Sequence, residues 1–239
     1  MFNFEIQFIK QIIKNKCGFN SLFIIRFFYQ WKKSLKKKRS PIIDRIPWMT
    51  FQSISLIEKK LKLGSSVFEY GSGGSTLYFL DRGAKLVTVE HDKKWFDYMS
   101  EVISYENLSN YWTAFYEPPE KENFKKNTSQ PNSISYKSRS ELFIGKTFEN
   151  YVNVINQFPN EYFDFVIIDG RSRSSCLKQS VLKVKVGGYL VLDNTERDYY
   201  LSSETEVYLK KFNLELDKIG PSPYVNFFTK TNIWKRVIK

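Results

Sequence analysis

The residues best suited to chemistry in this sequence are two acids that flank a run of glycines. Glu69 precedes Gly71, Gly73 and Gly74, and Glu90 lies 21 positions after Glu69 at the end of a second apolar run. Glycines after a first strand let backbone N–H groups and a helix N-terminus approach a ligand, and an acid about twenty residues later can accept hydrogen bonds from ribose hydroxyls. The pattern indicates a site for a nucleoside-bearing cofactor. Taken alone, it is also compatible with an ordinary turn between a strand and a helix.

The spacing within the glycine run favours one cofactor over another. A dinucleotide site requires a glycine at the sixth position of G-x-G-x-x-G, and counted from Gly71 that position is Thr76. The run instead resembles motif I of the class I S-adenosylmethionine-dependent methyltransferases, an acid followed by G-x-G-x-G, with Ser75 in place of the last glycine. The resemblance implies that S-adenosyl-L-methionine is the cofactor. The predicted cofactor contacts are Glu69, Tyr70, Gly71, Ser72, Gly73, Gly74, Ser75, Thr76, Glu90 and His91.

Specific roles follow from that hypothesis. Glu69 is expected to neutralise cationic charge on the cofactor, the three glycines to admit its methionine part, and Glu90 to hold its ribose. His91 is the only histidine. It could act as a base, line the adenosine pocket, or cap the helix that follows.

Acids also end two later apolar runs. Asp169 follows residues 165–168, and Asp193 with Asn194 follows residues 189–192. Ligands of open α/β sheets bind outside the carboxyl ends of the strands, so these side chains are expected to converge with Glu90 on one rim. Taken singly, such residues often make local turns.

A second resemblance concerns the same acids. Residues 184–195 are similar to the corresponding stretch of the metal-dependent catechol and caffeoyl-coenzyme A O-methyltransferases. The resemblance implies that Asp169, Asp193 and Asn194 are catalytic and bind a divalent metal, for which oxygen ligands suit Mg²⁺. The family's lysine, three residues after the first Asp, is replaced here by Ser172. The alternative is that the three residues shape the acceptor pocket without a metal.

Two arginines and one long connection remain near this rim. Arg171 and Arg173 could hold an anionic group of the substrate through bidentate bonds, or could be solvated at a helix start. Residues 117–140, rich in Pro, Asn, Ser, Lys and Glu, are long for a connection. They are interpreted either as a substrate lid or as a disordered insertion.

The elements that must position these residues lie between residues 46 and 239. Continuous apolar runs alternate with helical stretches, which predicts a doubly wound, mostly parallel seven-stranded Rossmann-like α/β sheet. Residues 214–219 and 226–236 flank a Gly-Pro-Ser-Pro turn and predict a terminal antiparallel hairpin like that of class I methyltransferases. Over about residues 47–236 the chain resembles a poorly characterised bacterial group within that superfamily.

Residues 1–45 form a separate basic extension. They contain eight lysines and three arginines against two acids, most of the net charge of +12. Apolar residues at helical spacing from Phe4 to Ile13 predict an amphipathic helix. This composition suits a helix that lies on an anionic membrane surface, or one that packs on the catalytic domain or on a second subunit with its lysines solvated. A basic cluster confined to one end, beside a site rimmed with acids, argues against nucleic acid as a partner.

The remaining features of the sequence restrict the cellular location and the type of function. Cys17 and Cys176 provide no disulfide framework, and no signal peptide is evident, so a cytoplasmic protein is expected. If the extension binds a membrane, the protein is peripheral on the inner face; if the extension packs on protein, it is not. The predicted activity is O-methylation of a small-molecule, saccharide or lipid-linked acceptor; the oligomeric state is left open. The alternatives are an NAD-dependent oxidoreductase or sugar-nucleotide enzyme, and a non-catalytic membrane-associated scaffold.

Overall fold

The computed structural model describes residues 3–18, 20–121 and 132–238. A seven-stranded sheet with helices on both faces forms the centre of the molecule, and a short two-stranded ladder lies apart from it. The doubly wound α/β sheet predicted from the sequence is therefore confirmed, including the antiparallel hairpin at its end.

The bounds of the elements are as follows. The α-helices are α1 (Phe4–Lys14), α2 (Asn20–Ile25), α3 (Phe28–Ser34), α4 (Pro41–Asp44), α5 (Phe51–Lys60), α6 (Gly74–Asp81), α7 (Lys93–Tyr105), α8 (Glu149–Asn153), α9 (Arg173–Ser180) and α10 (Ser203–Glu206). The strands are β1 (Ser66–Tyr70), β2 (Lys85–Glu90), β3 (Trp112–Tyr116), β4 (Glu120–Lys121), β5 (Lys146–Thr147), β6 (Phe163–Ile168), β7 (Val184–Asp193), β8 (Phe212–Pro221) and β9 (Phe228–Arg236). Single turns of 3₁₀ helix cover Ser109–Tyr111, Glu141–Phe143, Val154–Gln157 and Val207–Leu209.

The strand order of the large sheet is β3-β2-β1-β6-β7-β9-β8. The first five strands in this order run parallel, and β9 pairs antiparallel with both β7 and β8. The order reverses between β1 and β6, where helices leave for opposite faces. Such a switch point opens a crevice at the carboxyl ends of the strands.

The central strands β1 and β6 are mostly apolar and buried because helices cover both faces of the sheet. Along β1, Val67 belongs to the hydrophobic cluster on one face and Phe68 to the cluster on the other, and both are fully buried. Since side chains alternate along a strand, Glu69 points to the same face as Val67.

Glycines allow the two strands at the switch point to approach closely at their ends. Gly71 has a φ of +90°, and a Cβ there would lie 3.3 Å from the Cα of Gly170. A Cβ on Gly170 would lie 1.9 Å from the hydroxyl of Tyr151. Larger residues at either position would push β1 and β6 apart at the rim.

The N-terminal helices pack on the sheet domain and share its core. Phe8, Ile24, Phe27 and Trp31 belong to the same buried cluster as Phe51. The ring centroids of Phe27 and Phe51 are 5.9 Å apart in a stacked arrangement. Of the two interpretations of the extension, packing on the catalytic domain accounts for this apolar face.

These helices also hold the turn between β8 and β9. The indole N–H of Trp31 donates to the carbonyl of Val225 at 2.9 Å, and Gln7 donates to the carbonyl of Asn226 at 3.0 Å. The backbone N–H of Phe228 donates to Gln11 at 3.2 Å. The turn is therefore fixed by an element more than 190 residues away in sequence.

The connection after β3 is described only in part. Residues 122–131 of the predicted lid or insertion lie outside the described residues. On either side of them, β4 pairs antiparallel with β5, and the hydroxyl of Ser175 on α9 donates to the carbonyl of Asn132 at 3.1 Å. The described ends of this connection are thus tied to the rim.

Two further features concern the described residues as a whole. None of their helices is both long enough and apolar enough to cross a membrane. Cys17 and Cys176 are both buried and free.

Candidate active site

A cavity of about 510 Å³ lies against the loop between β1 and α6. This volume is within the range of small-molecule sites, about 300–1,000 Å³. We call it the loop cavity. Its lining comprises Ser40, Pro41, Ile42, Ile43, Trp48, Gly71, Ser72, Gly73, Gly74, Ser75, Trp95, Tyr98 and Asp169. The predicted glycine run therefore forms one wall, and the N-terminal extension forms another.

The lack of a side chain serves a different structural purpose at each of the three glycines of the loop. Gly71 has a positive φ and touches the end of β6. A Cβ on Gly73 would meet no atom within 4 Å, so its missing side chain leaves open space in the loop cavity. A Cβ on Gly74 would lie 2.3 Å from the carbonyl oxygen of Pro41. Gly73 is thus the position that fits close approach of a ligand, whereas Gly74 admits α4.

Helix α4 begins beside the loop cavity, and the residues at its own N-terminus determine where it begins. Ser40 caps it by accepting a hydrogen bond from the N–H of Ile43 at 3.3 Å, and Pro41 occupies the first turn, where no N–H donor is required. The helix ends at Arg45, whose φ is 53°. Arg45 then pairs with Asp81 on α6 and with Glu106 at 2.7 Å, which ties the extension to the domain.

Glu69 lies behind the loop and does not line the cavity. Its side chain is 1% exposed and accepts a hydrogen bond from the hydroxyl of Thr76 at 2.7 Å. That hydroxyl in turn accepts from the N–H of Gly73 at 2.8 Å. Burial raises the pKa of Glu69 to about 8, against the opposing effect of hydrogen bonds from the loop. In this structure Glu69 shapes the loop and makes no contact with the cavity.

Glu90 has four backbone or side-chain donors on its two oxygens. Oε2 accepts from the N–H and the hydroxyl of Ser72, both at 3.0 Å. Oε1 accepts from the N–H groups of His91 at 2.7 Å and Asp92 at 3.0 Å. Burial alone would raise its pKa, but His91 and these N–H groups lower the pKa to about 2. For Glu90 to hold a ribose, as predicted, a ribose hydroxyl would have to replace the hydroxyl of Ser72 on Oε2.

His91 lies outside the loop cavity, in an aromatic pocket. Its Nδ1 is 2.8 Å from Oε1 of Glu90, and its Nε2 accepts from Nε of Arg171 at 3.2 Å. The rings of Phe143 and Phe148 surround it at 5.5 and 5.7 Å. Among the described residues, Nε2 therefore has a hydrogen-bond donor, whereas Nδ1 lies close to the Glu90 carboxylate without a hydrogen bond of regular geometry. Protein groups lie against both ring nitrogens, an arrangement that positions the ring rather than presenting it to a substrate. The side chain of Tyr70 also points away from the cavity and donates to the carbonyl of Val152 at 2.8 Å.

A second cavity, of about 310 Å³, lies at the ends of β6 and β7 and is called the rim cavity. Its lining comprises Trp48, Asp169, Arg173, Asp193, Asn194, Arg197, Ser222, Val225, Phe227 and Thr229. Trp48 and Asp169 line both cavities. The two spaces therefore meet at an indole and a carboxylate.

Arg173 occupies the centre of the predicted metal site. Its Nε donates to the carbonyl of Gly170 at 3.1 Å, and one terminal nitrogen donates to the carbonyl of Asp193 at 2.6 Å and to Oδ1 of Asn194 at 3.2 Å. The other terminal nitrogen donates to the carbonyl of Asp169 at 2.9 Å and lies 2.8 Å from its carboxylate. All five N–H groups of the guanidinium thus have acceptors.

This arrangement corrects two predictions. Arg173 is 8% exposed and fully satisfied, so it does not present donors to an anionic substrate. The donor set also does not fit Mg²⁺, because a guanidinium cation already lies among the oxygens of Asp169, Asp193 and Asn194 and supplies the positive charge there. In the part of the chain that the structure describes, no three His, Cys, Asp or Glu side chains are grouped as metal ligands.

The two carboxyl groups beside Arg173 differ in exposure. The side chain of Asp169 is 28% exposed, whereas that of Asp193 is 3% exposed and accepts from the hydroxyl of Thr231 at 2.5 Å. Burial raises the pKa of Asp169 although Arg173 lowers it. Burial and the neighbouring charge of Asp169 raise the pKa of Asp193 well above its ordinary value. Of the two, Asp169 is the more exposed carboxylate and the one that lines both cavities.

Several residues of the site were not found from the sequence. Trp48, Trp95 and Tyr98 line the loop cavity, and the indole N–H of Trp95 donates to the carbonyl of Ser72 at 2.7 Å. Two local signals were available in the sequence. Ser40-Pro41 has the composition of a helix start, and Trp48 stands near the start of the catalytic domain.

Comparison with solved structures supports the fold. A methyltransferase from Geobacter sulfurreducens superposes with a TM-score of 0.52 at 11% identity, covering 87% of this chain and 94% of that chain. An O-methyltransferase candidate from Klebsiella pneumoniae superposes with a TM-score of 0.52 at 12% identity, covering 90% of each chain. A Streptococcus mutans protein in complex with S-adenosylhomocysteine superposes with a TM-score of 0.50 at 13% identity, covering 78% of this chain and 96% of that chain.

At these identities the likeness concerns the fold, which is the class I methyltransferase fold expected from the sequence. No protein-family model matches the chain, and no curated protein sequence matches it.

Proposed function

We propose that this protein is an S-adenosylmethionine-dependent methyltransferase that methylates an oxygen of a small-molecule, saccharide or lipid-linked acceptor. The observation that carries the proposal is the meeting of two cavities at Asp169, at the switch point of the sheet. One cavity has the glycine loop as a wall, and the other contains a partly exposed carboxylate.

The residues of the loop cavity fit the cofactor. Gly73 leaves space at the loop, and the rings of Trp95 and Tyr98 stand 5.5 Å apart on the opposite wall. Aromatic faces attract cations. When bound, S-adenosylmethionine supplies an electrophilic methyl group on a cationic sulfur. Gly71, Ser72, Gly73 and Trp95 would hold it, with α4 closing the side of the cavity.

Asp169 is proposed as the base that accepts a proton from the acceptor hydroxyl. Its Oδ1 is held by Arg173 at 2.8 Å, and the side chain lines both cavities. Burial raises its pKa, and a carboxylate with a raised pKa is a stronger base. Asp193 and Asn194 hold Arg173 from the other side and act as positioning residues. Mg²⁺ has no part in this proposal.

The Asp169→Asn variant tests the role of Asp169. The amide cannot take a proton, so methyl transfer from labelled S-adenosylmethionine to an extract of the source cells should fall by about a hundredfold or more. Binding of S-adenosylhomocysteine, measured by calorimetry, should change little. The matched control is Asp164→Asn, in the first half of β6 and away from the rim, where Asp164 pairs with Lys185 at 3.0 Å. Wild-type transfer by Asp169→Asn would contradict the assignment.

The exposed face of the extension supports a membrane surface as a further partner. Ile9, Ile13 and Phe23 are 55%, 70% and 64% exposed, beside the exposed Lys10 and Lys14. Apolar side chains interspersed with lysines are typical of segments that lie on anionic membranes. We propose that this face, on the side of α1 and α2 opposite the shared core, brings the enzyme to an anionic bilayer. A lipid-linked acceptor would be reached there.

Neither alternative function is favoured by a specific observation. An NAD-dependent enzyme of this fold would have, at the position of Thr76, the glycine that allows the helix to pack closely on the strand, and Thr76 is committed to Glu69 and Gly73. A scaffold would not require a carboxylate at the junction of two cavities.

A further inference from the structure

We propose that a small basic cavity beside the rim cavity is a binding site for a phosphate group. This basic cavity has a volume of about 70 Å³, little more than two water molecules occupy in the liquid, at about 30 Å³ each. Its lining comprises Lys137, Ser138, Arg139, Gly170, Arg171, Ser172, Arg173, Ser174, Arg197 and Tyr200. Five of these residues are cationic and none carries a carboxylate; Asp169 and Glu196, which lie outside the lining, balance part of the charge of Arg173 and Arg197, and the remaining positive charge favours a small anion.

The backbone at this cavity also favours an anion. The cavity is built on the loop from Gly170 to Ser174, which leads from β6 into α9. The first N–H groups of a helix have no partner within the helix, and the helix dipole places partial positive charge there. Phosphate oxygens commonly accept from such groups.

An unpartnered hydroxyl provides an independent indication of a ligand. Ser172 is 7% exposed and lines the basic cavity, and among the described residues its Oγ has no hydrogen-bond partner. Leaving a buried polar group unpaired is unfavourable, because the group has lost its hydrogen bonds to water. Its φ of 50° places it in the left-handed region at the start of α9. A phosphate oxygen in the cavity would supply the missing partner.

The arginines around the cavity have distinct tasks. The N–H groups of Arg173 already have acceptors at the ends of β6 and β7, so Arg173 contributes only its positive charge to the basic cavity. Arg171 donates to His91 through Nε, and its guanidinium lies 5.0 Å above the ring of Phe143. Within the described residues, the terminal nitrogens of Arg171 have no hydrogen-bond or ion-pair partner. This leaves a planar pair of N–H donors for a phosphate, a geometry that arginine favours.

The position of the basic cavity suggests which molecule carries the phosphate. Arg173 and Arg197 line both the basic cavity and the rim cavity. A phosphate group bound in the basic cavity would therefore place the rest of its molecule in the rim cavity, next to Asp169. The methyl acceptor is accordingly a phosphate ester, an assignment that rests on the proposed function, whereas phosphate binding itself does not.

Calorimetric titration with inorganic phosphate at constant ionic strength tests the site. The wild-type protein should show saturable binding, and Lys137→Gln and Ser172→Gly should each weaken it at least about fivefold, since charge-assisted hydrogen bonds are lost. Glycine suits the left-handed conformation at position 172, so the second variant removes the hydroxymethyl group without straining the backbone. Lys60→Gln, which removes an exposed charge at the end of α5, is the matched control.

Absence of saturable binding, or equal weakening by Lys60→Gln, would overturn the site. Titration of the same proteins with S-adenosylhomocysteine separates the two proposals. Binding of this ligand without phosphate binding would reject the basic cavity alone. Binding of phosphate but not of S-adenosylhomocysteine would support the basic cavity as a phosphate site and would reject the proposed function.

The nature of the acceptor is tested with an extract of the source cells. Pretreatment with phosphatase and phosphodiesterase should abolish methyl transfer from labelled S-adenosylmethionine, relative to mock-treated extract. Unchanged labelling would overturn the assignment of a phosphate ester. Label that partitions into organic solvent identifies a lipid-linked phosphate, and label that stays in water identifies a soluble one.

Discussion

Two acids of the glycine-loop region have opposite pKa shifts because their surroundings differ. Glu69 is buried with one firm hydrogen bond, from Thr76, and its pKa rises to about 8. Glu90 is also buried, but its donors from Ser72, His91 and Asp92 outweigh desolvation and its pKa falls to about 2. Hydrogen bonding to the charged form, more than depth of burial, decides the sign.

The shift of Glu69 predicts a pH-dependent stability. The folded protein retains this proton up to about pH 8, whereas the unfolded chain releases it near 4.5, so the free energy of unfolding falls as the pH rises between these values. The Glu69→Gln variant should not show this fall in the free energy of unfolding. In urea unfolding it should be ~2–4 kcal/mol more stable than the wild type at about pH 8.5, and similar to it at about pH 5.

Glu215→Gln, an exposed position on β8, is the control for that comparison. It should change stability little at either pH. If Glu69→Gln altered stability equally at both pH values, the buried proton would be excluded as the cause.

At the level of elements, α4 and the glycine loop form one unit. The carbonyl of Pro41 lies where a side chain on residue 74 would stand, and the same helix lines the loop cavity. An element from the extension is therefore part of the proposed cofactor site. The boundary drawn near residue 45 from charge and composition separates segments that the structure packs together.

Gly74→Ala should disturb this unit. Its Cβ would lie 2.3 Å from the carbonyl oxygen of Pro41, so α4 must move, at a cost of about 1–3 kcal/mol in the free energy of unfolding. Thermal unfolding should show a lower Tm, and binding of S-adenosylhomocysteine should weaken as well. Gly73→Ala is the matched control for stability, because its Cβ meets no atom within 4 Å. Equal stability of the two variants would contradict the packing described for α4.

The elements were predictable to different degrees. Strand β1 ends at Tyr70, directly before the glycine run, as the sequence indicates, because turn residues close a buried parallel strand. The position of Arg173 was not predictable, since its four hydrogen bonds and its ion pair with Asp169 join residues up to 21 positions apart and depend on one side-chain conformation. The extension was ambiguous because an apolar face can meet either protein or lipid. Only tertiary contacts distinguish these cases.

The whole molecule presents two apolar surfaces from one extension. One face of its helices fills the core through Phe8, Ile24 and Trp31, and the other remains exposed among lysines. The extension as a whole carries most of the net positive charge of the chain. Removing the extension would expose the core, so substitutions on the exposed face test membrane binding more cleanly than deletion.

The membrane proposal predicts a composition-dependent partition. The wild-type protein should sediment with vesicles containing anionic lipid and remain in solution with vesicles of neutral lipid, because lysines near an anionic surface contribute about 1 kcal/mol each. The double variant Ile13→Ser with Phe23→Ser should reduce partition by about tenfold or more, since each side chain loses apolar burial.

Leu142→Ser is the control, since Leu142 is 80% exposed in a 3₁₀ turn away from the extension. A comparable loss with this variant, or no binding of the wild type to anionic vesicles, would reject the exposed face as a membrane surface.

Calorimetric titration of the full chain with S-adenosylhomocysteine and, separately, with NAD tests the central claim most directly. We expect saturable binding of S-adenosylhomocysteine, no binding of NAD, and a weakening of about tenfold in Gly73→Ala, equivalent to about 1.4 kcal/mol, because the new Cβ occupies the loop cavity. Binding of NAD alone, or no saturable heat with S-adenosylhomocysteine, would contradict the account.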